Sequence, residues 1–466
     1  MISTPPMLSG SPVVGNLLEF MKDRQGLLQR GFNTLGPIFG IRLLNQPVAF
    51  LIGPEYQQIF FTETDKKLSM HKSYAYLKAA LGEVGFTAPP ETYFAQRPIL
   101  LKPFKSEKMI KYVAIMQQEV QQWLDTLEDQ GVFELRATVT QVVQNVAAHA
   151  LMGKDFRDRT GPEFWKQYLI IGKAIDPALY PYLPLPKFIR RDRAKKKLRE
   201  MIWPLIVERR SHPERYDDFL LDFATAEYKD GTPMEDDAVI ATIMGLMFAG
   251  HETTAGQAAW TIIQLLQTPA YLQSLQQEIS DRLPVGEPIT ARNLSSMKHV
   301  FWAVQETTRM HPSADVLARR VEEDIEVGKY RIPKGWNLMV AADIAQRLPD
   351  LFTNPTIYDP LRYAPGREED RQHRFSLIGF GGGTHKCAGM NFANNEMMII
   401  TALLFQQFDL ELITKEPRVD YSLGAARPEK TYIRYKRKSI NHDIQQTAGE
   451  THTDQKCPYA TSTTDD

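Results

Sequence analysis

Between residues 106 and 283 the chain repeats apolar side chains at helical spacing over long stretches, above all 109–127, 139–152 and 235–266, with only short Pro, Gly and Asp punctuation between them. Helices of that length bury their apolar stripes against one another, so the body is mostly α. Strand signals are confined to short pieces. Residues 40–52 (GIRLLNQPVAFLI), interrupted at Asn45-Gln46, read as a hairpin. A second small sheet is expected at 325–340, where Val327-Gly328-Lys329 marks a turn. The expected class is mainly α with small β-sheets, an α+β fold.

Two segments escape the periodicity. Residues 354–375 are rich in Pro, Arg and Asp and read as a long ordered connector, which needs a functional reason. Residues 438–466 lose almost all large apolar side chains and read as a disordered polar tail, leaving 1–437 as one domain. With a net charge of -1 the chain has no polyanion-binding signal, so nucleic acid is not an expected partner. Its two cysteines, Cys387 and Cys457, do not make a disulfide framework, and a reducing, cytoplasmic setting follows. The first sixteen residues (MISTPPMLSGSPVVGN) contain no apolar run for a membrane anchor or secretory signal. Residues 181–210 mix apolar and basic side chains, including Arg190, Arg191, Lys195, Lys196 and Lys197; they read first as a solvated helix face and second as a weak membrane-surface contact.

The most specific chemistry lies in Phe380-Gly381-Gly382-Gly383-Thr384-His385-Lys386-Cys387-Ala388-Gly389, followed by an apolar helical run over 390–408. A glycine-rich loop thus delivers one cysteine to a helix start. The helix N-terminus brings partial positive charge and N–H groups to the sulfur, which favours a thiolate, and the glycines let backbone pass close to a flat cofactor. A buried inert cysteine beside a turn is the bland alternative, and the joint spacing of Phe380, Gly383, Cys387 and Gly389 outweighs it.

That spacing, F-x-x-G-x-x-x-C-x-G, resembles the haem-binding signature of cytochromes P-450. The resemblance implies a triangular helical body with haem between a long oxygen-groove helix and the helix after the cysteine loop, and Cys387 as the iron ligand. Glu306-Thr307-Thr308-Arg309 is similar to the family's E-x-x-R; alone, such an i,i+3 pair would be an ordinary surface contact. The resemblance makes Glu306 and Arg309 a buried structural network with Arg362, from Pro360-Leu361-Arg362-Tyr363, where Leu361 and Tyr363 depart from P-E-R-F. Ala249-Gly250-His251-Glu252-Thr253-Thr254 resembles A-G-x-D/E-T-T. It implies that Thr253 hydrogen-bonds dioxygen and that Glu252, with His251 nearby, delivers protons. Haem propionates require basic or hydrogen-bonding partners when enclosed. Arg97 in Tyr93-Phe94-Ala95-Gln96-Arg97 (Tyr for the family's Trp), Arg319 and His385 stand at the corresponding positions.

The similarity runs from about residue 5 to 437 and is closest to the sterol 14α-demethylase branch, of a soluble bacterial type. Ser73-Tyr74-Ala75-Tyr76-Leu77-Lys78-Ala79-Ala80-Leu81-Gly82-Glu83 resembles that branch's pocket segment, with Tyr74 as a propionate-bonding hydroxyl. Ala79 or Ala80 stands for its Pro and Leu81 for its Phe, and one residue is missing before Phe86. Glu252 stands where that branch has a histidine. Tyr76, Leu81, Leu246, Ala249, Val316 and Leu317 are candidate pocket residues, and 174–179 a further pocket segment. The implied activity inserts one oxygen atom of O2 into a small apolar substrate. A sterol, terpenoid, retinoid or carotenoid-derived, or fatty molecule fits. The implied cofactor is haem b, with electrons from NAD(P)H through a separate ferredoxin or flavodoxin and its reductase. Lys102, Lys105, Arg374 and Lys386 are candidate docking residues. A non-redox haem-thiolate isomerase and a haem sensor are the other function classes; the acid–threonine pair argues against both.

Overall fold

The computed structural model describes residues 3–176, 179–422 and 425–439. The periodic stretches form helices close to their expected bounds. The helices that position the site are α1 (Arg24–Leu35), α2 (Pro90–Leu101), α3 (Ser106–Asp125), α4 (Leu135–Met152) and α5 (Gly161–Lys173). They are followed by α6 (Pro186–Ser211), α7 (Asp236–Gln267), α8 (Pro269–Arg282), α9 (Lys298–Met310) and α10 (Met390–Gln407). The longest is α7, at 32 residues. Its second half buries Ala255, Ala258, Ala259, Trp260, Ile262 and Ile263 on all sides, and a helix apolar all round has to be enclosed by others. It accordingly packs against α4, α9 and α10.

Helix starts follow local chemistry. The Glu134 carboxylate accepts from the Arg136 and Ala137 N–H groups at 3.1 and 2.8 Å, satisfying two donors that the first turn of α4 leaves free. Helix α6 buries Phe188, Ala194, Leu198, Ile202 and Ile206 while Lys196 and Lys197 face solvent. Among the described residues no helix is long and apolar enough to cross a membrane.

The sheets are small, as expected, but more numerous. Strands β1 (Ile38–Leu43) and β2 (Gln46–Leu51) form the expected hairpin, pairing Ile38 with Leu51 and Leu43 with Gln46. This hairpin joins β8 (Asn337–Ala341), β5 (Val316–Val321) and β3 (Leu68–Ser69) in a five-stranded sheet ordered β1-β2-β8-β5-β3. Its period-2 alternation sends Ile38, Ala49 and Leu51 into one core and Phe39, Ile41, Val48 and Phe50 into another, so both faces are covered. The expected turn at Val327-Gly328-Lys329 joins β6 (Ile325–Val327) to β7 (Tyr330–Ile332) as a separate ribbon. The three-stranded sheet of β4 (Gln130–Glu134), β12 (Tyr432–Arg437) and β9 (Phe408–Leu412) was not anticipated, nor was the ribbon of β10 (Val419–Asp420) with β11 (Arg427–Pro428). All but two residues of the expected tail, 438–466, lie outside the described residues, as do 177–178 of the pocket segment 174–179.

Candidate active site

The cysteine loop is fixed before it reaches Cys387. The buried Gln346 amide accepts from the Ile378 and Gly379 N–H groups at 2.8 and 2.9 Å and donates to the Thr308 and Arg309 carbonyls at 3.1 and 2.9 Å. This ties the start of the loop to the end of α9. Gly383 has φ +64°, and a Cβ there would lie 2.9 Å from the Phe61 carbonyl oxygen, so a side chain is excluded on two grounds. The Cys387 N–H bonds the Phe380 carbonyl at 2.9 Å, and α10 begins at Met390.

Cys387 is enclosed by the protein but open to a cavity of about 420 Å³, which it lines. Across it stand Leu246, Ala249 and Thr253 of α7, with Leu317 and Arg319 of β5 and Arg97 of α2 at its sides. Enclosure by the protein raises the thiol above its ordinary pKa, opposed by the Gly389 N–H and the Lys386 charge. The helix-start effect expected from the sequence is therefore present but does not by itself win.

The donor set fits a haem. Arg319 is only 3% exposed; its Nε donates to Thr64 Oγ1 at 3.0 Å and its Nη1 to the Ala318 carbonyl at 2.8 Å. Burial lowers its pKa, and among the described residues no carboxylate lies within ion-pair distance. A buried guanidinium facing a cavity without an anion calls for one. Arg97 lines the same cavity beside Tyr93. Among the described residues no cluster of three His, Cys, Asp or Glu side chains could hold a metal, so an ion at Cys387 needs its other donors from a cofactor. His385 also lines the cavity, yet its Nε2 is held by Asp65 Oδ2 at 2.5 Å and its ring stacks on Tyr93 at 4.3 Å. Tyr74 Oη accepts from the Ala318 N–H at 3.3 Å, one residue from Arg319, and lies off the cavity wall.

On α7 the groove residues diverge. The Thr253 hydroxyl donates to the Ala249 carbonyl at 2.5 Å, and the Thr253 carbonyl accepts from Ser313 Oγ at 2.9 Å. Glu252 is not on the cavity wall; it forms an ion pair with Arg427 of β11. Burial alone would raise its carboxyl, but His251 and Arg427 outweigh that and hold it at about 2. At 3.6 Å from Glu252 the His251 Nε2 is beyond hydrogen-bond reach, so the direct partner is Arg427. His251 itself is buried against Trp165 and Tyr168 of α5, with Nδ1 2.6 Å from the Met247 carbonyl oxygen.

The predicted charge network assembles fully. Arg309 donates to both Glu306 oxygens at 2.7 and 2.8 Å, and Arg362 Nε approaches the same carboxylate at 3.0 Å. Burial would lower Arg309, and Glu306 reverses this to a raised value. Tyr363, a departure from the family pattern, adds its hydroxyl to Glu306 at 3.1 Å.

Three expected pocket residues point elsewhere. Strand alternation turns Leu317 and Arg319 to the cavity, so Val316 packs instead in the β1–β2 core. Leu81 is buried in the main helical core, and Tyr76 packs at its edge. Phe380 and Gly389 line the cavity, while Gly383 turns the loop behind it. Sequence reasoning missed Gln346, Asp65, Arg427 and Glu396. Glu396 lines the cavity from α10 with Oε1 unpartnered among the described residues, and burial pushes its carboxyl well above the usual range. A polar residue inside an apolar helical run was the available signal for Glu396.

Residues 5–434 match the Cytochrome P450 family. The chain is 30% identical to a sterol 14-demethylase of Arabidopsis thaliana over 94% of its length and 92% of that protein. It is 29% identical to an obtusifoliol 14-alpha demethylase of Sorghum bicolor, covering 94% and 91%, and to a sterol 14alpha-demethylase of Mycolicibacterium vanbaalenii, covering 93% and 98%. The solved structure of retinoic acid bound cyanobacterial CYP120A1 shares the fold, with a TM-score of 0.82 at 24% identity, over 94% of this chain and 100% of that one. The chain belongs to the cytochrome P450 family and is a haem-thiolate monooxygenase that uses dioxygen and electrons from a redox partner.

Proposed function

We propose that this monooxygenase acts on a sterol-sized apolar substrate, with oxidative removal of a 14α-methyl group as its reaction. The observation that carries this reading is an apolar cavity in front of Cys387, walled by Leu246, Ala249 and Leu317, in a chain whose relatives named sterol or obtusifoliol 14-demethylases align along 93–94% of it. Haem b, when bound, supplies the oxidising chemistry. Cys387 would hold the haem iron through its sulfur. Arg319 and Arg97 would hold the propionates, with His385 on the same wall and Tyr74 behind Arg319, its hydroxyl on the Ala318 N–H. Thr253 would offer its hydroxyl from the cavity wall, and Glu252 would carry protons toward it. The apolar wall excludes water and orients the substrate.

Electrons come from NAD(P)H through a ferredoxin or flavodoxin with its reductase, in the cytoplasm. Exposed Lys102, Lys105, Arg374 and Lys386 form the docking face. Residues 1–437 act as one unit. Exposed Tyr180, Tyr182 and Ile189 beside basic α6 form the weak membrane-surface contact through which an apolar substrate is gathered.

A second reading rests on Glu252 and on Ala79-Ala80-Leu81, which differ from the sterol branch. They favour a terpenoid, retinoid or fatty substrate in the same cavity. Titrating the ferric protein with a 14α-methyl sterol, a retinoid and a fatty acid while following the Soret band separates the two. A saturable spin shift with the sterol alone supports demethylation; a shift with another ligand and none with the sterol assigns the pocket to that class.

A further inference from the structure

The acid beside the oxygen groove is held from outside its own helix. Strand β11 packs against α7 where Gly256 leaves room: a Cβ there would sit 3.0 Å from Arg427 Cβ and 3.5 Å from its Cα. One helical turn before Gly256 is Glu252, so the ribbon sets the Arg427 guanidinium against that carboxylate. The same guanidinium reaches backward. Its Nη2 bonds Ser422 Oγ at 3.0 Å and approaches Asp420 Oδ2 at 3.5 Å, while Asp420 in turn holds Arg136 at 2.8 Å. Arg427 is thus shared between two carboxylates, and its Nε is buried with no partner among the described residues. A cation with two acceptors and a spare donor can redistribute its bonds without being stranded.

We infer that Arg427 is a positioning residue that latches Glu252 away from the cavity, so that β10–β11 sets how readily this carboxylate carries a proton to Thr253. The inference rests on the reading of Glu252 as the proton-delivering acid. The charged or titratable groups facing Glu252 are His251 on its own helix and Arg427 on β11, with Asp420 and Arg136 beyond the latter. His251 is anchored through Nδ1 to Met247, which leaves Arg427 as the adjustable one. Asp420 competes with Glu252 for the guanidinium, so the two ends of the latch carry opposite predictions. Loss of Arg427 frees Glu252 to take a proton at higher pH. Loss of the Asp420 charge commits Arg427 to Glu252 and makes the proton harder to take.

The test uses the haem-loaded full chain and the variants Arg427→Gln, Arg427→Lys, Asp420→Asn and Glu252→Gln. Two quantities are read: the solvent deuterium isotope effect on product formation across pH, and the apparent pKa of Glu252 from the pH dependence of the Tm difference between each background and its Glu252→Gln partner. In Arg427→Gln the apparent pKa rises by about one unit, a tenfold change in protonated Glu252 at fixed pH, and the isotope effect falls. Arg427→Lys, which keeps a cation on a less matched head group, gives a smaller rise. Asp420→Asn shifts both readouts the other way. A ribbon that only braces the fold would move Arg427→Gln and Asp420→Asn in the same direction, and that result overturns the latch. Should Arg427→Gln fail to fold, the sign of the Asp420→Asn shift decides alone. Unchanged readouts in the Arg427 variants, with Glu252→Gln still altering the isotope effect, remove the latch and keep the acid. An isotope effect and coupling unaltered by Glu252→Gln remove the acid reading itself.

Discussion

Two charge clusters flank the cysteine cavity, and they are built differently. Around Glu306 both oxygens are engaged by Arg309, Arg362 and Tyr363 and by the Asp359 N–H at 3.0 Å, with Glu306, Arg309 and Arg362 0% exposed. Arg362 continues to Glu369 at 2.5 Å, and Arg309 spends its remaining donors on the Gln346 and Pro355 carbonyls at 2.9 and 2.7 Å. Around Glu252 one guanidinium serves two carboxylates, one of its nitrogens has no partner among the described residues, and the Glu252 side chain keeps 18% exposure. A closed buried network has one arrangement, because moving any member strands a charge in a low-dielectric interior. An open one has alternatives of similar energy. The first cluster ties the 354–375 connector to α9 through Arg362 and Glu306; the second sits on α7 next to Thr253.

Removing Arg309 should produce the largest effect. Arg309→Leu leaves Glu306 short of its main partner and should cost about 3–5 kcal/mol, the usual penalty for breaking a buried pair. Urea unfolding of the variant checks this; a loss below about 1 kcal/mol would make the cluster no stronger than a surface pair. Next comes acid. The Glu252 carboxyl is held at about 2 against an ordinary 4.5, so its contribution is complete above 4.5 and is lost as pH falls from there toward 2. The integral is roughly 3 kcal/mol. The Tm gap between the wild type and Glu252→Gln should close over that window, and a gap constant with pH would mean that no ionised carboxylate is being held. Tyr363→Phe removes one hydrogen bond to a charged acceptor from the closed network and should cost roughly 1.5–3 kcal/mol. An unchanged Tm would show that Tyr363 merely fills space as the family's Phe would. Thr253→Ala should change stability least, since it deletes a hydroxyl bonded to its own helix. Its effect should appear as fewer product molecules per electron pair consumed, and unaltered coupling would take Thr253 out of the proton route.

What the sequence disclosed follows the same division. Glu306 and Arg309 are three residues apart, and the cysteine loop is a continuous segment, so their geometry is encoded locally. Long helices such as α7 were legible because their periodicity runs for many turns. Arg427 meets Glu252 across 175 residues, His385 meets Asp65 across 320, and Gln346 meets Ile378 across 32 through a buried amide. No local pattern announces these partners. The parallel pairing of β2 with β8 was hidden for the same reason, since each strand is short and its partner is set by the tertiary fold. Val316 was placed in the pocket because apolar character was legible while its strand phase was not. Tyr363 departs from the family pattern and contributes a hydrogen bond to Glu306, which spacing alone does not reveal.

The central claim is that Cys387 presents a thiolate to haem iron in this cavity. The most direct measurement is the carbon monoxide difference spectrum of the reduced, haem-loaded protein beside Cys387→Ala. The account predicts the red-shifted Soret band of a thiolate-ligated haem in the wild type and its disappearance in the variant. The same thiolate band in Cys387→Ala would contradict it.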